Sequence, residues 1–478
     1  MKQRIRPLSI AHMYRIGFVI AACAVALCAP PAIAQTSNPN AEIAIVLRQS
    51  RAALGAAALE RGGVLHIEEK VTSLGLSGTG SSDGRLGSVR FSERQSTPPL
   101  VSADGYDGAL AWNQDQSGLV WVDGSDAGRS QEIDSAFASN DTLFAANHGG
   151  ATITWGGRER VGGLPYVRLV VTPPHSLLPM QVWVNEGTHL PASYVVALGP
   201  ITFLTTVSDY RRVDGLMVPY RGHSESNTGN ASDSTVTSAR IATPGDDAAL
   251  AKPASNVRDF SMTGGATETS VPIDVIDNHV YLDVMLDGKG PYRFIFDTGG
   301  SNLIDPAVAT EIGATGTGSL KGSGAGSGTE SFSFAKVDSL RFGNAVVRNQ
   351  VFAVAPVRQG FGISAGQHVD GLIGFEVLAR FVTAFDYAGR KVTFRLPGMP
   401  APADGDVVPF VFGGTQPQIA CAIDGIASEC AVDTGSRVSL TLFQPFVAAH
   451  PQIVPAARSA TGVNGFGVGG AAMGFLGR

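Results

Sequence analysis

FIFDTGGSNLI, Phe294 to Ile304, sets three apolar residues ahead of an Asp-Thr-Gly triplet and a small polar turn. A carboxylate at the end of an apolar strand is costly, because a charge resists leaving water. An N-cap or a turn could account for one such Asp. AVDTGSRVSL, Ala431 to Leu440, repeats the arrangement. The likeness also extends upstream. VMLDGKGPYRFIFDTGGSNLI lies on CAIDGIASECAVDTGSRVSL as apolar strand, Asp-Gly turn, second apolar strand and triplet, with Asp287 opposite Asp424 and one extra residue in the first hairpin. Two triplets closing the same strand–turn–strand unit form an internal repeat, and that repeat sets the fold of the C-terminal half.

Each residue of the triplet has a physical role. Gly299 and Gly435 permit a tight loop in which backbone approaches backbone. The hydroxyls of Thr298 and Thr434 are suited to hydrogen-bond the opposing loop. Asp297 and Asp433 then meet across a pseudo-twofold axis, and two carboxylates about 3 Å apart cannot both ionise. The ionised partner takes a proton from water, which attacks a peptide carbonyl. The protonated partner donates toward the oxyanion and later helps protonate the leaving amine. Such chemistry needs no cofactor and no metal.

At these residues the chain resembles the retropepsin-like aspartic proteases, specifically exported bacterial proteins with two aspartyl-protease units. The resemblance implies a Gly-rich flap and a later apolar-apolar-Gly brace in each unit. In the first unit, KGSGAGSGTESFSF (Lys321–Phe334) fits the flap through Gly324, Gly326 and Gly328. Leu372-Ile373-Gly374 fits the brace, followed by a short helix and a closing strand up to Phe394. In the second unit, TGVNGFGVGG (Thr461–Gly470) fits the flap through Gly465 and Gly467. Gly374 lies 77 residues after Asp297, whereas Arg478 lies only 45 after Asp433, so the second unit is expected to be C-terminally truncated. Three functions stay open. The first is an exported aspartic endopeptidase acting on peptides or proteins through Asp297 and Asp433. The second is a homodimeric protease using Asp297 from two chains. The third is a non-catalytic envelope protein that binds lipid or peptide and carries a degenerate protease module.

Residues 40–242 show short alternating segments broken by Gly, Asp and Asn, after one helical candidate, AEIAIVLRQSRAALG. This reads as a large antiparallel sheet. DGYDGALAW (Asp104–Trp112), PMQVWVNEGTHLP (Pro179–Pro191) and VSDYRRVDGLMVP (Val207–Pro219) resemble the LolA/LolB-type lipoprotein carriers, which implies an antiparallel half-barrel beside a helix with a lipid or peptide ligand. Residues 243–270, rich in Pro, Ala, Gly, Ser and Thr, read as a linker. The expected organisation is therefore mainly β: a carrier-like domain over 40–242, one complete retropepsin-like unit over 271–398, and an incomplete one over 405–478.

A basic stretch ending at Arg15, an apolar run and AIA before Gln35 have the pattern of an export signal over 1–34, cleaved near Gln35. IAAC would instead attach a lipid at Cys23. No later run is long and apolar enough to span a bilayer. Removing 1–34 takes away four cations and moves the net charge from −6 to −10, which argues against nucleic acid as a partner. Cys421 and Cys430 remain as an even pair flanking a hairpin, either as a cross-hairpin disulfide or as two buried thiols. GSSDG (Gly80–Gly84) matches a nucleophile-elbow pattern without its strand-to-helix context. The histidines show no metal-ligand spacing.

Overall fold

The computed structural model describes residues 38–474 apart from 199–200, 243–244, 246, 323–327, 363–365, 400–404, 454–461 and 468–469. The expected export signal, Gln35 and Cys23 lie outside the described residues. The fold is mainly β and divides into two compact units. Among the described residues, 38–113 and 126–253 form one, and 114–125 with those from 254 onward form the other.

The N-terminal unit is built on an antiparallel sheet. Its order runs from Leu100–Tyr106 through Phe91–Thr97, Leu76–Arg85 and Val64–Ser73, then passes to Ala231–Ala242 and returns strand by strand to Thr152–Val161. Val64–Ser73 and Ala231–Ala242 pair along their lengths, joining the two series. The helix Pro39–Leu54 begins at Asn38, whose side chain accepts from the Asn40 amide, with Pro39 in the first turn. A second helix, Asp126–Ser139, is not visible in the apolar pattern, because Ser130, Gln131, Glu132 and Asp134 on it are buried. Ile43, Leu47, Leu54, Ile133 and Phe137 from the helices share a core with Leu65, Phe91, Tyr106 and Leu169 from the sheet. Farther along the sheet the same face turns polar. Glu69 lies opposite Gly80 and then Gln95, and Ser82 lies opposite Glu93. Burial, with the nearby Glu93 charge, pushes the Glu69 carboxyl up to about 7. GSSDG sits inside the strand Leu76–Arg85, away from any strand-to-helix turn.

In the second unit, the repeat appears as two sets of hairpins. Asp274–Ile276, His279–Leu286 and Lys289–Phe296 form the first set. Phe410–Gly413, Gln416–Ile423 and Ile426–Ala431 form the second. The first set belongs to a core in which Phe294, Phe296, Phe342, Phe352, Ile373 and Phe394 are almost wholly buried. The stretch 243–270, expected to link domains, is partly built into this unit. Phe260–Met262 pairs with Ala345–Val354, and Glu268–Pro272 pairs with Lys391–Arg395. Composition misses these strands because each is short and their pairing partners lie some 80 to 120 positions later in the chain. Gln114–Ser125 is also part of the unit: Leu119 and Trp121 cluster with Phe375 and Phe412.

Candidate active site

Asp297 follows directly on Phe296, the buried end of the strand Lys289–Phe296. The brace strand Gly371–Ile373 runs parallel beside it, with Phe294 opposite Gly371 and Phe296 opposite Ile373. The Asp297 amide donates to the Ile373 carbonyl at 2.8 Å, and the Phe375 amide donates to the Gly300 carbonyl at 3.1 Å. Only glycine fits at position 374, where a β-carbon would lie 2.1 Å from the Gly300 carbonyl oxygen and 2.7 Å from that of Asp297. Leu372 and Ile373 are buried behind the loop. Downstream, the Glu376 carboxylate accepts from the Asn302 amide at 2.9 Å. Burial pushes the Glu376 carboxyl up to about 7.

Asp433 holds the equivalent place after Ile426–Ala431. The two triplets interlock. The Thr298 hydroxyl accepts from the Thr434 amide at 2.9 Å and donates to the Val432 carbonyl at 2.7 Å. The Thr434 hydroxyl accepts from the Thr298 amide at 3.1 Å and donates to the Phe296 carbonyl at 2.6 Å. Each aspartate also accepts from the glycine amide two residues on, Asp297 from Gly299 at 2.9 Å and Asp433 from Gly435 at 2.8 Å. The glycines pack crosswise. A β-carbon on Gly435 would stand 2.4 Å from Asp297 Cγ, and one on Gly299 would stand 2.6 Å from Asp433 Cγ.

Asp297 and Asp433 are thereby brought side by side, each carboxyl packed on the glycine of the opposite loop. Burial, then the charge and hydrogen bond of Asp433, hold the Asp297 carboxyl well above the usual carboxylate range; the Gly299 and Gly300 amides oppose this. One proton shared between two carboxyls suits a site that must offer a base and an acid together.

The two halves differ in support. Phe296 is fully buried, while Val432, its counterpart, is 42% exposed. Among the described residues no strand pairs with Ile426–Ala431 as Gly371–Ile373 pairs with Lys289–Phe296. The strands Thr317–Gly322 and Glu330–Phe342, which carry the segment expected to be the first flap, pair antiparallel. Gly324 and Gly326 lie outside the described residues, and Gly328 is exposed. Gly465 and Gly467 lie in a second hairpin, Gly462–Gly467 with Gly470–Gly474. Cys421 and Cys430 are joined as a disulfide across the hairpin below Asp433. Among the described residues, no group of three or more His, Cys, Asp or Glu is placed to hold a metal. No described helix is long and apolar enough to cross a membrane.

Residues 282–377 match the family model of the aspartyl proteases, a span that contains Asp297, the first flap and the brace. No curated protein matches the chain in sequence. The N-terminal part is similar to solved structures at low identity. One is a LolA superfamily protein from Nitrosomonas europaea, at 11% identity and a TM-score of 0.31, covering 44% of this chain and 97% of that one. Another is a DUF1329 family protein from Desulfovibrio piger, at 14% identity and a TM-score of 0.31, covering 45% of this chain and 98% of that one.

Proposed function

We propose that this protein is an exported aspartic endopeptidase that cleaves peptide bonds with a water activated between Asp297 and Asp433. The observation that carries this reading is the pair of carboxyls set together at the ends of two interlocked, sequence-related loops. With one proton shared by the pair, the ionised carboxylate takes a proton from water as it attacks the scissile carbonyl. The protonated carboxyl donates to the developing oxyanion, and a later proton transfer releases the amine. An extended peptide would lie beneath the hairpins of 317–342 and 462–474. The N-terminal basic and apolar run supports export.

The test is peptide cleavage between pH ~3 and ~7, the range in which such a pair is singly protonated. Loss with both Asp297→Asn and Asp433→Asn supports the fused pair. Loss with Asp297→Asn alone supports a homodimer built on Asp297. No cleavage by the parent chain defeats the protease reading.

A second reading, an envelope binding protein, is favoured by the polar stretch of the N-terminal sheet. Glu69, Ser82, Glu93 and Gln95 share one face there, which suits a peptide better than an acyl chain. Calorimetric titration with cationic peptides and with phospholipid vesicles tests it, peptide binding alone being the expected result.

A further inference from the structure

The two Asp-Thr-Gly loops exchange a second pair of contacts from outside the triplets. Continuing the register of Asp287 against Asp424 back by eight positions sets His279 opposite Gln416. Both occupy the first position of the strand that follows a tight turn, His279–Leu286 in one half and Gln416–Ile423 in the other. Gln416 Nε2 donates to the Gly299 carbonyl at 2.7 Å. The His279 ring stands at the backbone of Gly435, the place in the repeat that Gln416 takes at Gly299. His279 Nδ1 is buried without a partner.

These contacts reach the reacting groups in one step. Gly435 packs against the Asp297 carboxyl, and Gly299 packs against that of Asp433. A shift of either glycine therefore moves into the carboxylate of the opposite loop. Both turns are themselves anchored. Asp277 and Asn278 adopt positive φ; Asn278 Nδ2 donates to the Arg437 carbonyl at 2.7 Å, and Asp277 pairs with the Arg437 guanidinium at 3.3 Å. On the other side the Gly414 carbonyl accepts from Trp121 Nε1 at 2.9 Å, and its amide donates to Asp123 at 2.8 Å.

We propose that His279 and Gln416 are paired positioning residues, each holding the glycine carbonyl of the opposite loop and so fixing the carboxylate packed against that glycine. The inference rests on the aspartic-protease reading. His279 matters more of the two, because it steadies the loop of Asp433, beside which no described strand plays the part of Gly371–Ile373. Neither residue touches substrate in this role, and a glutamine should serve in either place, since Gln416 already does so in one.

The experiment compares the full chain with His279→Ala, His279→Gln and Gln416→Ala. His279→Ala and Gln416→Ala are expected to lower kcat by about tenfold or more with KM changed by less than about twofold, as a misplaced catalytic group does. His279→Gln is expected to stay within about threefold of the parent, because the donor to Gly435 is kept. A His279→Ala enzyme as fast as the parent, or a His279→Gln enzyme as slow as His279→Ala, overturns the proposal. A second measurement stands apart from turnover: carbon-13 NMR titration of the Asp297 carboxyl. In His279→Ala the midpoint should fall toward the ordinary carboxylate range, and in His279→Gln it should hold. An unchanged midpoint in His279→Ala overturns the proposal even if no peptide is cleaved, so its failure is distinct from failure of the protease reading.

Discussion

Arg380 is wholly buried and grips Asp259 with two of its nitrogens, Nε at 2.8 Å from Oδ1 and Nη2 at 2.8 Å from Oδ2. The same guanidinium donates to Asp115 at 3.0 Å, to Ser117 at 2.8 Å and to the Glu376 carbonyl at 2.7 Å. This one side chain ties the residues that follow the Gly374 brace to the segment Gln114–Ser125 and to the stretch before the protease repeat. Replacing it with Met leaves two nearly buried carboxylates unpaired. Breaking such a cluster from one side costs about 3–5 kcal/mol. Arg380→Met should lower the unfolding free energy read from urea melts by that amount, and Arg380→Lys should recover little of it, because an ammonium cannot reproduce the forked contact. An Arg380→Met chain as stable as the parent would refute the role.

The interlocked threonines give a second prediction. Thr298→Ala strands the Thr434 amide and the Val432 carbonyl, and Thr434→Ala strands the Thr298 amide and the Phe296 carbonyl. Each change should cost about 1–2 kcal/mol, the penalty for part-buried groups left without partners. Cleavage should fall with it. Thr298→Ser and Thr434→Ser keep the hydroxyls and should match the parent within about 1 kcal/mol. Chemical unfolding of the four variants, read beside their cleavage rates, checks both halves of the claim.

How far the site was legible depends on what each residue leaves in the sequence. Asp297, Thr298, Gly299 and their copies stand out because a triplet recurs behind matching hairpins. Leu372-Ile373-Gly374 is found through the family resemblance, which implies an apolar-apolar-Gly brace after the flap. His279 and Gln416 leave no such mark. They differ in type, and their equivalence emerges only when the repeat is carried back through its first hairpin. Asp259 and Asp115 were hidden for another reason. Each is a single carboxylate in a turn-rich stretch, and its partner Arg380 lies 121 or 265 positions away. Pairing at that range is a property of the fold alone. The helix Asp126–Ser139 was obscured because its buried face is largely polar.

The disulfide supports a third prediction. Cys421 and Cys430 close a nine-residue span across the hairpin that carries Gln416 at one end and leads to Asp433 at the other. By loop-closure entropy such a link contributes about 2–3 kcal/mol. The double variant Cys421→Ala/Cys430→Ala should lose that much stability, and amide exchange should rise along Gln416–Ala431 more than along Lys289–Phe296. Unfolding the parent without reductant should leave Cys421 and Cys430 unlabelled by a thiol reagent. Label found on either of them by peptide mapping would contradict the bond.

The raised Asp297 carboxyl makes stability depend on pH in a definite direction. In the unfolded chain an aspartate ionises near pH ~3.9. In the folded site burial and Asp433 keep the proton on Asp297 to higher pH. Between the two values the folded chain binds more protons than the unfolded one, so stability falls as pH rises through that window and levels off above the folded value. Asp297→Asn removes the titrating group while keeping a donor toward Asp433. It should therefore match the parent in melting temperature near pH ~3.5, below both values. At pH 7 it should melt higher than the parent while failing to cleave peptide. Calorimetric melts of both proteins at the two pH values decide the matter. A constant difference in Tm across that range would mean that Asp297 titrates alike in the folded and unfolded chains, and the shared proton would have to be abandoned.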